Sequence, residues 1–108
     1  MTNERPRIEV LTFAGCPNAE PAVELVARVT SELGIEAYVE RIDVASEDQV
    51  QEHRFLGSPS IRVNGRDIEP GAGDRSEYVY SCRVYRSESG LTGQPDERWL
   101  RAALEDRD

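Results

Sequence analysis

The sequence of 108 residues contains no lysine, one histidine and two cysteines. Without lysine, Schiff-base catalysis and lysine general bases are excluded. One histidine and two cysteines supply too few ligands for a structural zinc site, and two cysteines are too few for a disulfide-built secreted scaffold. If Cys16 and Cys82 have a role beyond packing, we therefore expect that role to be chemical.

Long apolar runs and an excess of positive charge are also missing. No segment approaches the roughly 18 apolar residues that a membrane-spanning helix needs, and residues 1–7 lack the apolar region of a signal peptide. Thirteen arginines against 21 acidic residues give a net charge of -8, which repels nucleic acids and anionic lipids. We expect a cytoplasmic protein without nucleic-acid or membrane partners, folded as one domain over residues 1–108.

Hydrophobic periodicity predicts an α/β protein with the order strand, helix, strand, helix, hairpin, helix. Gly34 is placed as a left-handed helix stop, Ser46 and Gln49 have capping-box spacing, and Asn64-Gly65 is a strong hairpin signal. The predicted strands cover 8–13, 37–44, 61–63 and 66–69, and the predicted helices run from just after Cys16 to Leu33, from Ser46 to near Gly57, and over 95–104. The first two strands are expected to be parallel and the hairpin to form an antiparallel edge.

Residues 70–95 are predicted to form a long, partly extended insertion between the fourth strand and the last helix. Several glycines and serines flank an alternating core over 78–85. This alternation places the tyrosines of the insertion on one side, where packing against the sheet would bury them.

The order of elements, a cysteine before the first helix and Gly57-Ser58-Pro59-Ser60 before the third strand together resemble the thioredoxin-like fold family. The resemblance implies a three-layer fold with a mixed four-stranded sheet (βαβαββα) and the insertion 70–95. It also implies that Pro59 is cis and faces Cys16, and that Pro59 and Ser58 contribute to substrate binding. The family motif is C-x-x-C, whereas this chain has a monothiol version, Cys16-Pro17-Asn18-Ala19.

A second resemblance concerns the segment around Cys82. Tyr80-Ser81-Cys82-Arg83-Val84-Tyr85, followed by Glu97-Arg98-Trp99-Leu100, is similar to the C-terminal cysteine segment of organomercurial (alkylmercury) lyases. Those enzymes use two cysteines and an aspartate three residues after the first, a position that Ala19 occupies here. The resemblance implies a soft-metal site, for example for mercury, formed by two thiolates.

Cys16 is the main candidate for a reactive group. A thiol at a helix N-terminus is close to unpaired N–H groups and the positive end of the helix dipole, and both favour the nucleophilic thiolate. The alternative is a small buried hydrophobic residue. Cys82 lies thirteen residues after Glu69, within reach of Cys16, and is either a resolving thiol or an inert residue of the insertion.

Arginines of the insertion are candidate substrate ligands. Arg83 could favour a thiolate at Cys82, and Arg75 or Arg83 could hold the carboxylates of a small thiol such as glutathione.

The leading hypothesis is a thiol-dependent redox protein of the thiol-disulfide oxidoreductase type. Cys16 and Cys82 are its predicted catalytic residues, and Pro59, Ser58 and Arg83 its predicted substrate-binding residues. The expected partners are small thiols or protein disulfides, with no cofactor and no resident metal. The alternatives are a soft-metal or organomercurial-binding protein that uses Cys16 and Cys82, and a non-catalytic binding module.

Overall fold

A computed structural model describes residues 5–87 and 90–105 of the chain. Residues 88 and 89 of the predicted insertion and the ends of the predicted domain lie outside the described residues. The elements are β1 (Arg7–Thr12), α1 (Ala19–Leu33), β2 (Tyr38–Asp43), α2 (Glu47–His53), β3 (Ser60–Val63), β4 (Arg66–Asp67), a 3₁₀ turn (Ala72–Asp74), β5 (Tyr85–Ser87), β6 (Gly90–Thr92) and α3 (Glu97–Glu105).

The main sheet has four strands in the order β2-β1-β3-β4. β1 and β2 are parallel and are connected through α1, whereas β3 is antiparallel to β1 and to β4. Asn64 and Gly65 connect β3 to β4 with φ values of 53° and 87°, both in the left-handed region that a tight hairpin turn requires. The mixed four-stranded sheet with three helices confirms the predicted α/β fold class.

Local signals set the ends of the helices. α1 ends at Gly34, whose φ of 66° lies in the left-handed region, as predicted. At the start of α2 the Gln49 N–H donates to Ser46 Oγ, and Gln49 Oε1 accepts from the Ala45 N–H. α2 ends earlier than predicted, at His53. In the described part of the chain, no helix is both long and apolar enough to cross a membrane.

The second predicted strand is present as β2 and lies at an edge of the main sheet, beside β1. Tyr38 and Val39, which point to opposite faces of the strand, are 61% and 51% exposed. The first residues of β2 are therefore exposed on both faces.

Two apolar clusters on opposite faces of β1 form the core. Val10 packs into the larger cluster with residues of α1, β3 and α3, and the next residue, Leu11, packs into the smaller one beside α2. Successive residues of a strand point to opposite faces, so β1 is buried on both sides. The helices α1 and α3 thus cover one face of the sheet and α2 covers the other.

The insertion is more ordered than the sequence predicted. It contains the 3₁₀ turn and an antiparallel pair of short strands, β5 and β6. The run 79–85 follows the 3₁₀ turn, ends at the first residue of β5 and lies as an extended segment beside the sheet.

A core substitution tests the packing of α3. Leu100 is fully buried in the larger cluster, so Leu100→Ala is expected to lower the free energy of unfolding by about 2–5 kcal/mol. Leu91→Ala is the matched control: Leu91 is 66% exposed in β6, and its replacement is expected to change stability by less than about 0.5 kcal/mol. Urea unfolding of both variants gives the comparison, and equal losses would contradict this placement of α3.

Candidate functional site

Cys16 lies in the loop between β1 and α1. The loop turns at Gly15, whose φ of 87° lies in the left-handed region. The Cys16 N–H donates to the Phe13 carbonyl at 3.2 Å, and the Ala19 N–H donates to the Cys16 carbonyl at 3.2 Å. The thiol therefore precedes the N-cap of α1, Asn18, by two residues, and its residue is 8% exposed.

An open cleft lies beside the Cys16 loop. It has a volume of about 550 Å³ and lies between the loop, the start of α1 and the edge strand β2. Arg41 enters it from β2 and forms an ion pair with Glu20 at 2.5 Å, and Asp43 adds a further carboxylate. Both signs of charge are thus present next to the thiol.

The segment before β3 lies on the other side of β1. Ser60 pairs with Leu11 of β1, so the preceding residues Ser58 and Pro59 lie at the end of the sheet where the Cys16 loop leaves β1. The peptide bond between Ser58 and Pro59 is cis. Both residues are buried, and Ser58 Oγ has no hydrogen-bond partner among the described residues.

An extended run of the insertion, residues 79–85, lies against this segment; we call it the strap. The Val79 N–H donates to the Phe55 carbonyl, the Ser58 N–H donates to the Ser81 carbonyl, and the Arg83 N–H donates to the Ser58 carbonyl, each at 2.9 Å. Ser58 and Cys82 thereby form a parallel bridge. The strap therefore pairs as an additional strand beside Ser58 and Pro59, which we call the proline segment.

The same strap contacts the Cys16 loop. The rings of Phe13 and Tyr80 are 5.4 Å apart at a tilt of 60°. Phe13 accepts the hydrogen bond of the Cys16 amide, and Tyr80 precedes Cys82 by two residues. Both cysteines are free, Cys16 buried and Cys82 exposed, and the structure brings their segments to the same end of the sheet.

Arg83 has a different position from the one predicted. Its side chain is 1% exposed, and its guanidinium donates to Asp67, Glu69 and Ser60. Burial alone would lower the pKa of Arg83, but the hydrogen bonds and charge of these carboxylates raise it above its ordinary value. The guanidinium is thus bound to the protein's own acids, and the role of Arg83 in substrate binding stays a prediction.

Tyr85 anchors the end of the strap. Its hydroxyl donates to the Pro59 carbonyl, and the Arg83 guanidinium lies 4.4 Å from its ring centroid. Burial raises the pKa of the Tyr85 phenol, and although Arg83 opposes the rise, Asp67 and Glu69 add to it. Tyr80, in contrast, is 43% exposed, so the tyrosines do not share one buried side as predicted.

Two glycines allow the insertion to approach the site closely. A Cβ on Gly57 would lie 2.8 Å from the Arg83 Cβ and 3.2 Å from the Ser81 carbonyl oxygen. A Cβ on Gly93 would lie 2.3 Å from Asn18 Nδ2. Both ends of the site, the proline segment and the start of α1, are therefore packed against the insertion.

Sequence reasoning missed the residues that shape the site. Arg41 was assigned only to a strand, and nothing local connects it with Cys16. Asp67 and Glu69 were expected only as hairpin residues, and no local pattern connects them with Arg83, which follows them by 16 and 14 residues. Within the described residues, no group of three or more His, Cys, Asp or Glu side chains is placed to hold a metal ion.

Comparison with known proteins establishes the family. A protein described as a probable thioredoxin from Methanothermobacter thermautotrophicus is 34% identical over 71 residues, which cover 65% of this chain and 84% of that relative. Another from Methanothermobacter marburgensis is 32% identical over 72 residues, covering 66% and 85%. No protein-family model matches the chain. The chain belongs to the thioredoxin-like family.

Several finer expectations stay predictions. They are the function of the monothiol motif, the likeness of the Cys82 segment to alkylmercury lyases with mercury binding, a non-catalytic binding role, a cytoplasmic location and the single domain over 1–108.

The environment of Tyr85 predicts a loss of stability at alkaline pH. An unfolded tyrosine ionises at about pH 10, whereas the folded state keeps the Tyr85 proton to higher pH. Its contribution to stability is therefore complete below about pH 10, and above it the free energy of unfolding falls by about 1.4 kcal/mol per pH unit. Urea unfolding between about pH 8 and pH 11 should show this slope in the wild type and not in Tyr85→Phe.

Tyr80→Phe is the control, because Tyr80 is largely exposed and its removal should leave the slope in place. Tyr85→Phe also loses the hydrogen bond to Pro59, which costs about 1 kcal/mol at neutral pH. Equal alkaline slopes in Tyr85→Phe and the wild type would contradict the assignment.

Proposed function

We propose that this thioredoxin-like redox protein exchanges disulfides through Cys16, which acts as the nucleophilic thiolate. Cys82 or a small thiol then resolves the intermediate. The substrates are disulfides, and the reaction requires no bound cofactor. In this proposal Pro59 and Ser58 form one wall of the site, and the charged cleft beside Cys16 forms the entrance.

The observation that carries this proposal is the bridge between Cys82 and Ser58, the residue directly before Pro59. The contact between Phe13 and Tyr80 supports the same arrangement from the side of the Cys16 loop. Since Ala19 stands where the family motif has its second cysteine, Cys82 is the one remaining cysteine in the sequence that can resolve a mixed disulfide. The thioredoxin relatives favour redox chemistry at sulfur.

In the first step the Cys16 thiolate attacks one sulfur of the substrate disulfide. The substrate S–S bond breaks, its electron pair leaves with the departing thiolate, and Cys16 carries the other half of the substrate as a mixed disulfide.

In the second step the Cys82 thiolate attacks the Cys16 sulfur of the mixed disulfide. The second half of the substrate leaves as a thiolate, and a bridge between Cys16 and Cys82 remains. The substrate has gained two electrons, and the two protein thiols have lost them together with their protons. Two molecules of a low-molecular-weight thiol then reduce the bridge and themselves become a disulfide.

Separate serine substitutions of the two cysteines test this order of events. Cys16→Ser is expected to reduce turnover of a small disulfide to the uncatalysed rate, because no nucleophile remains for the first step. Cys82→Ser is expected to complete the first step and to accumulate a mixed disulfide on Cys16, detected by mass spectrometry. Its turnover should become proportional to the concentration of added small thiol, since that thiol must resolve the intermediate.

Cys82 is the more exposed thiol, so the reverse assignment has a distinct signature. If Cys16→Ser keeps its turnover and forms a mixed disulfide on Cys82, the nucleophile is Cys82 and the proposal is wrong. Circular dichroism of both variants checks that the fold is intact.

A further inference from the structure

The backbone of Ser58 offers no free hydrogen-bonding edge. An extended segment with unpaired N–H and C=O groups can take up a peptide as an additional strand. Here the Ser58 N–H donates to Ser81, and the Ser58 carbonyl accepts from Arg83. The strap already occupies the position that an extended polypeptide would need in order to pair beside Pro59.

Side chains hold the strap in this position. The buried Arg83 guanidinium binds Asp67 and Glu69, and the Tyr85 hydroxyl binds the Pro59 carbonyl. Gly57 leaves the space into which the strap packs, since a Cβ there would lie 2.8 Å from the Arg83 Cβ. Opening the strap would leave a buried charge unpaired, which is strongly unfavourable.

On its other side, the Cys16 loop borders the open cleft. Arg41 supplies a positive charge there, and Glu20 and Asp43 supply negative charges. These charges can pair with a small disulfide that carries both carboxylate and ammonium groups.

We propose that the strap makes Cys16 selective for small charged disulfides and excludes extended polypeptide disulfides. This inference rests on the proposed function, because it concerns the substrate of the same thiol. The strap is thus a specificity device, and the accessible approach to Cys16 is the cleft.

The test measures the first step alone, in a Cys82→Ser protein whose one thiol is Cys16. Two probes carry the same leaving group: the mixed disulfide of nitrothiobenzoate with free cysteine, and that of nitrothiobenzoate with a cysteine in the middle of an extended peptide. Cys16 bonds to the cysteinyl sulfur, the S–S bond of the probe breaks, and nitrothiobenzoate leaves with the electron pair as a coloured thiolate. N-acetylcysteine reacting with both probes gives the intrinsic ratio of rates.

The expected result is a ratio of small-probe to peptide-probe rates that exceeds the N-acetylcysteine ratio by about tenfold, which corresponds to about 1.4 kcal/mol. N-acetylcysteine pairs with neither probe as a strand, so the excess measures the exclusion of the peptide by the strap and the attraction of the small probe to the charges of the cleft. A ratio equal to that of N-acetylcysteine, or one that favours the peptide, overturns the inference while the proposed function stands. If Cys16 reacts with neither probe, the proposed function fails and the inference fails with it.

Gly57→Ala in the same background displaces the strap, and its ratio is expected to fall toward that of N-acetylcysteine. Gly71→Ala is the matched control: Gly71 has a φ of 82° but a Cβ there meets no atom within 4 Å, so its ratio should be unchanged. Amide hydrogen exchange at Ser58 and Arg83 is expected to be slow in the parent protein and faster in Gly57→Ala. If Gly57→Ala does not fold, the ratio and the exchange rates of the parent protein decide the question, and fast exchange at both amides would overturn the inference.

Discussion

A single buried guanidinium connects the parts of this molecule that surround the candidate site. Arg83 carries a permanent positive charge into a location where an unpaired charge would be very unfavourable. The carboxylates that neutralise it come from β4 and the residue two positions after it, Asp67 and Glu69. The hairpin side supplies the two carboxylates of this buried network and the strap supplies the guanidinium. If either element moved away, the charge on the other would lose its partner. The strap therefore belongs to the rigid frame of the sheet.

This frame makes the surroundings of Cys16 asymmetric. On the side of Pro59, backbone hydrogen bonds and the Tyr85 hydroxyl are already used within the chain. On the side of β2, the cleft is open and contains charges of both signs. The exposed edge strand β2 contributes Arg41 to this cleft, so its side chains shape the accessible approach to the thiol.

Elements whose signals are contained within a few neighbouring residues were predictable from the sequence. Gly34, the pair Ser46 and Gln49, and Asn64-Gly65 each fix a backbone conformation or a local hydrogen bond, and the structure has each one where it was expected. The strap has no such signal. Its partners lie more than ten residues away, as with Arg83 and Asp67 or Cys82 and Ser58, so no local pattern encodes the pairing.

The same reasoning explains why the tyrosines of the insertion were misassigned. Alternation defines two sides of a strand, but it does not say which side faces the protein. Tyrosine is more apolar than arginine, which favoured the side of Tyr80 as the buried one. The structure buries Arg83 and Tyr85 instead, because Asp67 and Glu69 form ion pairs with the guanidinium on that side. Electrostatic pairing thus decided the orientation of the strap, and with it the exposure of Cys82 on the opposite side.

Cys82 lies at a different place from the second cysteine of a C-x-x-C motif, and this difference affects the backbone next to the site. In a C-x-x-C motif two residues separate the two thiols, so one short segment carries both of them. In this chain Ala19 replaces the second thiol, and Cys82 lies on the strap that fills the edge. The strap and an extended polypeptide would compete for the same hydrogen bonds of Ser58. In the proposed exchange a small disulfide in the cleft makes no use of those bonds, so Cys82 stays in place for the second step.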